Sequence, residues 1–290
     1  MHKAVFWGVH RERSHAPGRE HDDEAILLAV ADRLKRCEDI AVRVLYPREI
    51  TRSLTDLPDL VFYMCEEKEI LDLFCLWQSH GVAFINRPVS VKNTFRQNML
   101  GILSGEPFFP ESRFIPSYQE SFNGLEQVWI KRGDYHAITK EDVVFAGSKE
   151  DVTRTVQRFN RRGISSVLIQ DHVAGDLVKF YGVRDHLSGR SRWFHWFYHK
   201  EQDLRRYAFR HERLKELCET GASLLELEIY GGDAVVTPTG AIYLIDFNAW
   251  PSFALFRDTA SEHIAQHIAD GIRNCCTSKL PCQAVTGMRG

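Results

Sequence analysis

Asp246 and Asn248 stand two residues apart in the apolar run from Ile242 to Ala249, and Asp233 lies on the other side of the turn signal Pro238-Thr239-Gly240. The pattern predicts a β-hairpin, with Val235 and Val236 ending one strand and Ala241 to Phe247 forming the next. Residues two apart on a strand face the same way. Asp233, expected at the start of the opposing strand, faces them across the hairpin. Two carboxylates and one amide oxygen on one face suit a hard divalent ion such as Mg²⁺. An ion held by so few protein oxygens commonly travels with the phosphates of a nucleotide. The competing reading is a surface hairpin with an Asp-capped turn.

A second group lies near the N-terminus. Arg11, Arg13 and Arg19 crowd together with His10, His15 and His21 in the loop that follows the first apolar segment. A loop at the carboxyl end of a parallel strand is where α/β proteins bind ligands. Arginine favours carboxylate or phosphate, and the following helix points its N-terminus at the same region. The loop therefore predicts a small anionic substrate, against the alternative of a solvated basic loop.

The elements that must carry these residues can be traced by periodicity. Residues 1–88 alternate strand and helix: strands at 4–7, 40–46, 60–64 and 82–85, and helices from His21-Asp22-Asp23 to Lys35 and over 67–80. This βαββαβ order predicts a small, mostly parallel α/β unit. A helix over 93–103 follows. An α+β block comes next, with strands at 112–115, 128–131, 143–145 and 166–172 and an amphipathic helix over 150–161. The last third carries strands at 177–183 and 193–198, a helix over 211–224, the hairpin, and a closing helix over 259–272. The expected organisation is 1–88, 89–172, 173–276 and a tail, 277–290.

Composition narrows the class. The chain has 290 residues, 44% of them hydrophobic, and a net charge of −2, so it has the material for a sizeable core and no overall sign of nucleic-acid binding. No apolar run is long enough for a membrane span, and charged residues come too early for a signal peptide. The seven cysteines include no CxxC pair, and their odd number argues against a disulfide framework. A cytoplasmic setting is the expectation.

The order of these pieces resembles the ATP-grasp superfamily. A strand ends in Lys131 and runs into a glycine-bearing polar loop. A later strand, Val167 to Val173, passes into Gly175-Asp-Leu-Val-Lys-Phe-Tyr181. The segment Ile245-Asp-Phe-Asn-Ala-Trp-Pro251 resembles the superfamily's acidic-x-Asn metal motif. The likeness covers about residues 86–272 and is nearest to glutathione-synthetase-like peptide ligases and to the inositol-phosphate kinases that share the fold. The expected class is α/β and α+β, an ATP-grasp fold behind an N-terminal parallel α/β domain.

The resemblance implies ATP and Mg²⁺ as cofactors. It implies that Lys131 and Arg96 meet the phosphates, with Lys92 a rival for Arg96. Gln170, Asp171, His172 and Val173 would form the adenine-reading hinge, and Asp176 would bind the ribose. Lys179 would neutralise the transferred phosphoryl group, with Arg184 as a second catalytic cation. Asp233, Asp246 and Asn248 would hold Mg²⁺. The stretch Arg132 to Thr139 has one glycine where relatives carry a glycine-rich lid, which makes His136 a candidate phosphate contact. Arg190, Trp250 and Ser252 join Arg11, Arg13 and Arg19 as candidates for the acceptor pocket. The implied activity is transfer of the ATP γ-phosphoryl group to a small anionic acceptor. The first reading is a carboxylate–amine ligase, the second a small-molecule kinase, the third a nucleotide-binding protein without catalysis. A homodimer is compatible with the fold.

Overall fold

The computed structural model describes residues 3–15, 18, 20–119, 122, 124–134, 139–186 and 188–277. Strands β1 (Ala4–Val9), β2 (Ile40–Leu45), β3 (Leu60–Tyr63) and β4 (Ala83–Ile85) form a parallel sheet in the order β2-β1-β3-β4. Alternate residues serve its two faces, as strand geometry requires. Phe6, Leu60 and Phe62 pack with Ile26, Leu27 and Val30 of helix α1 (Glu20–Leu34). Trp7, Val61 and Tyr63 pack with Ile70, Phe74 and Trp77 of helix α2 (Lys68–Ser79). Glu20, Asp22 and Asp23 occupy the first turn of α1, where carboxylates meet the positive end of the helix dipole.

The helix expected over 93–103 is two helices, α3 (Pro88–Asn93) and α4 (Arg96–Leu103). Buried Thr94 turns its hydroxyl back onto the carbonyl of Val91 at 2.7 Å, and Phe95 is extended. Such back-bonding competes with the helical ladder. It puts a fresh helix start at Arg96.

Strands β5 (Ser112–Pro116), β6 (Val128–Arg132), β7 (Val143–Ala146) and β8 (Ser166–Asp171) make an antiparallel sheet in the order β5-β8-β6-β7. Helix α5 (Lys149–Arg161) covers it with Val152, Val156 and Phe159. Its N-cap is Ser148, whose Oγ accepts from the Asp151 amide. A second antiparallel sheet, in the order β10-β9-β11-β12, contains β9 (Asp176–Arg184), β10 (Ser191–Tyr198), β11 (Ile229–Val236) and β12 (Ile242–Ala249). Helices α6 (His211–Leu224) and α7 (Arg257–Thr277) complete the fold.

Apolar packing divides the molecule unevenly. The β5–β8 sheet and α5 have a core drawn wholly from residues 115–169. The other two sheets share theirs: Trp7, Tyr63 and Phe74 belong to one cluster with Phe180, Leu214 and Phe247, and Phe6 and Phe62 to another with Trp250, Phe253 and Ile264. Buried Asn86 joins the two sheets through polar contacts. Its Nδ2 donates to the Ile229 carbonyl at 2.7 Å, and its Oδ1 accepts from the amides of Glu228 and Ile229. No helix among the described residues is long and apolar enough to cross a membrane.

Candidate active site

The hairpin forms as its alternation and turn residues require, although Asp233 lies in mid-strand rather than at the start of β11. Asp233 is directly opposite Asp246 on β12 and opposite Lys179 on β9. Residues paired across antiparallel strands share a face, so Lys179, Asp233 and Asp246 stand in one row. Lys179 Nζ is 2.6 Å from Asp233 Oδ1. Asn248, two residues beyond Asp246, is opposite Gly231.

The register slips within this row. Asp233 pairs with Asp246 but Ala234 pairs with Leu244, which leaves Ile245 as the extra residue of a β-bulge. The carbonyl of Ile245 accepts from Lys131 Nζ at 3.1 Å, across the gap from β6. Gly232 makes the tight register possible. A Cβ there would overlap the Asp246 carbonyl oxygen and the Phe180 ring. Gly232→Ala is therefore expected to lower the melting temperature by several degrees and to reduce activity at least about tenfold by displacing Asp246. Thermal melts and steady-state turnover of the variant check this.

Three cations converge on the two carboxylates. Lys131 is buried, and burial pushes its amine down to about 8 despite the nearby charge of Asp246. Arg96, at the first position of α4, is also buried. Its Nη1 donates to the Arg132 carbonyl at 2.6 Å, and burial lowers its guanidinium against the opposing pull of Asp246. Lys92, the rival, lies elsewhere: its amine is 2.6 Å from Asp72 and 3.4 Å from the Cys75 sulfur. Lys131 comes from one antiparallel sheet and Lys179 from the other, so the cleft between the sheets is lined by groups that stabilise condensed negative charge.

The loop after β6 is fixed at both ends. Arg132 is bidentate to Asp134 at 2.8 and 3.0 Å. Fully buried Asp142 accepts from the Thr139 amide and from Arg162. His136 lies between, outside the described residues. Residues 172–175 connect β8 to β9 and hence one sheet to the other. In that connection the His172 amide donates to the Gln127 carbonyl and its Nδ1 accepts from Trp129 Nε1 at 3.1 Å. Asp171 and His172 are exposed, and Val173 is half-buried. Gln170 is buried and donates to Ser112 Oγ.

Several expected site residues are placed otherwise. Asp176 is not available to a ribose, because its buried carboxylate accepts from the Arg205 and Tyr207 amides at 2.8 and 2.9 Å. Arg184 lies five residues from Lys179 on β9, which places it on the opposite face and about 17 Å along the strand. It donates to the Gly189 carbonyl and cannot act beside Lys179. Arg190, in the β9–β10 turn, is likewise remote from the cleft. The Trp250 ring is buried and stacks near Phe62, so it packs the core. Ser252 is half-exposed in the loop after β12.

The N-terminal loop is also reassigned. Arg11 is not a free anion ligand. Its Nε is 2.9 Å from Asp23 and its Nη1 2.7 Å from Glu66, while Nη2 donates to the Trp250 carbonyl at 2.8 Å. Burial opposes its charge, but Glu66 and Asp23 outweigh burial and raise its guanidinium. Trp250 has a φ of 43°, a left-handed conformation unusual for a bulky residue. Arg11 thus secures a strained turn two residues beyond Asn248. Glu12 lies alongside, accepting from the Glu66 and Glu67 amides at the start of α2. Arg11→Met leaves Asp23 and Glu66 buried without their cation, and is expected to destabilise the chain by about 3 kcal/mol. Denaturant unfolding measures it. Arg13 is exposed and lines a cavity of about 250 Å³ with His10, Glu20, Asp23, Glu24 and Tyr46, so the expected basic loop has a mixed-charge setting. Arg19 lies outside the described residues.

Sequence reasoning missed the Arg11 tie and the Ile245 bulge. Only the Gly231-Gly232 pair inside an apolar strand signalled a close backbone approach.

No protein-family description and no curated protein matches the chain by comparison. Solved structures do. A D-alanine–D-alanine ligase from Bacillus anthracis complexed with ATP is 11% identical, with a TM-score of 0.69, over 95% of this chain and 99% of that one. A RimK domain ATP-grasp protein from Sphaerobacter thermophilus is 15% identical, with a TM-score of 0.65, over 92% of this chain and 100% of that one. The ATP-grasp ligase PsnB, complexed with a minimal precursor, is 16% identical, with a TM-score of 0.62, over 94% of this chain and 100% of that one. The chain has the fold of the ATP-grasp superfamily.

Proposed function

We propose that the chain is an ATP-dependent carboxylate–amine ligase. The observation that carries this reading is the row Lys179, Asp233 and Asp246 facing buried Lys131 across the gap between two antiparallel sheets. Lys131 and Arg96 would bind the nucleotide phosphates, and Lys179 would balance charge on the phosphoryl group in transfer. Asp233, Asp246 and Asn248 offer only hard oxygen donors on one strand pair, which fits Mg²⁺. When bound, that ion would supply further neutralisation of phosphate charge.

The substrate carboxylate oxygen would attack the γ-phosphorus, ADP would leave, and an acyl phosphate would form. An amine would then attack the acyl carbon, release phosphate and lose a proton. No protein nucleophile is required. The chain's task is alignment and charge balance. The similarity to structures named as ligases supports this reading over a kinase. The mixed charge of the cavity at Arg13, Glu20 and Glu24 favours a zwitterionic, amino-acid-like substrate over a simple anion.

The test is ATP turnover with Mg²⁺ over pools of amino acids and small carboxylates, with free phosphate and labelled product followed separately. Phosphate release that requires both a carboxylate and an amine supports the ligase. Label retained on a single acceptor, without phosphate release, overturns it in favour of a kinase.

A further inference from the structure

His186, Glu228 and His267 come from three separate parts of the fold: the β9–β10 connection, the residue before β11, and α7. Their ligand-capable atoms all lie within 4.8 Å of one another. His267 is fully buried. One of its ring nitrogens, Nε2, is 2.8 Å from Glu228 Oε2, and the other, Nδ1, has no hydrogen-bond partner. The His186 Nε2 lies 2.8 Å from the His267 backbone carbonyl. A carbonyl only accepts, so this nitrogen carries the ring proton. The Nδ1 of the neutral His186 ring is then a lone pair, and it faces the same Glu228 oxygen at 3.6 Å. The lone pair and the carboxylate both offer electron pairs to a positive centre placed between them.

A second proton on His186 is one such centre, and would pair an imidazolium with Glu228 alone, leaving the His267 ring stacked beside it at 3.8 Å. A coordinated ion is another: it takes the His186 Nδ1 lone pair and displaces the proton that His267 Nε2 shares with Glu228, which moves to the His267 Nδ1. We propose that His186, Glu228 and His267 bind a divalent transition-metal ion, and that Zn²⁺ is the ion this nitrogen, nitrogen and oxygen set suits. Tetrahedral Zn²⁺ ligands with bonds near 2 Å stand about 3.3 Å apart, between the 2.8 and 3.6 Å separations seen here.

The two rings are now parallel, within 6°, and cannot aim at one point. Ion capture therefore turns the more exposed His186 ring out of the stack, while buried His267 stays in place. The adjoining cavity of about 290 Å³ leaves room for water or an anion at the fourth position. The site is separate from the cleft, because Glu228, just ahead of β11, precedes Asp233 by five residues of extended chain, about 17 Å. The bound ion would clip α7 to the β9–β10 connection and to the start of β11.

The experiment uses the full chain stripped with EDTA and held in excess Mg²⁺, which occupies the oxygen-donor site. Zn²⁺ is titrated by calorimetry, and Co²⁺ by its visible absorption. The expected result is one Zn²⁺ per chain, a nitrogen-ligand Co²⁺ band, and a melting temperature that rises with Zn²⁺. His186→Ala and Glu228→Gln should each weaken Zn²⁺ binding at least about tenfold. His186→Ala removes a half-exposed side chain, and its metal-free melt should match that of the parent. Absence of Zn²⁺ binding by the parent chain, or unchanged affinity in His186→Ala, overturns the proposal.

Discussion

Asp246→Asn is expected to reduce ATP turnover about a thousandfold or more while shifting the melting temperature by only a few degrees. The substitution keeps the shape of a half-buried strand residue and removes one negative charge. That charge has two roles. It is one of the two carboxylates of the proposed metal-ligand set, and it opposes the desolvation of Lys131 and Arg96. An amide can still offer one oxygen but cannot hold a divalent ion against water as a carboxylate does. Turnover at saturating Mg²⁺, paired with a thermal melt, separates lost chemistry from lost fold. Full activity in the variant would remove Asp246 from the site.

The second large effect has opposite signs for activity and stability. Lys131→Met is expected to abolish turnover, to about the same thousandfold extent, yet leave the fold as stable as before or more so. Burial lowers the Lys131 amine from its ordinary 10.5 to about 8, a difference worth roughly 3 kcal/mol against the folded state at neutral pH. Between these two values the unfolded chain holds more protons than the folded one, so stability rises with pH over that window. Below about pH 8 both states are protonated and the cost is constant. Methionine fills a similar volume without a charge to desolvate. The variant should therefore lose the stability increase between about pH 8 and 10.5. In the parent chain, the KM for ATP should climb above about pH 8 as the amine loses its proton. Stability–pH profiles of parent and variant check the first point, and KM–pH profiles the second. A parent KM that is flat across this range would show that Lys131 does not meet the phosphates.

The parts of this fold that were legible in the sequence are those written in local pattern. The hairpin follows from alternation around Pro238-Thr239-Gly240, and α6 has the predicted ends at 211 and 224. Lys131 and Lys179 were readable as strand residues next to polar loops. What was not legible depends on partners far away in the chain. Arg11 finds Glu66 and the Trp250 carbonyl, 55 and 239 residues away, so nothing near it distinguishes a tie from a ligand. Asp176 meets two amides of an irregular segment that has no periodic signature. The Ile245 bulge changes no residue type and so leaves no mark. Arg184 is different, since its odd spacing from Lys179 on a regular strand already placed it on the other face.

Among the described residues, the core of the β5–β8 sheet draws none from outside 115–169, and this bears on how the molecule comes apart. Its apolar core is its own, and it is joined to the rest by the chain between α4 and β5, by the 172–175 connection and by polar contacts such as Lys131 to Ile245 and Arg96 to Arg132. Separating it from its neighbours wets charged and hydrogen-bonding groups and leaves every apolar cluster intact. Its amides can therefore exchange with solvent through partial openings that the remainder of the chain does not share. A nucleotide held from both sides of the cleft would tie these openings to global unfolding, so that protection appears far from the ligand and without any new contact there.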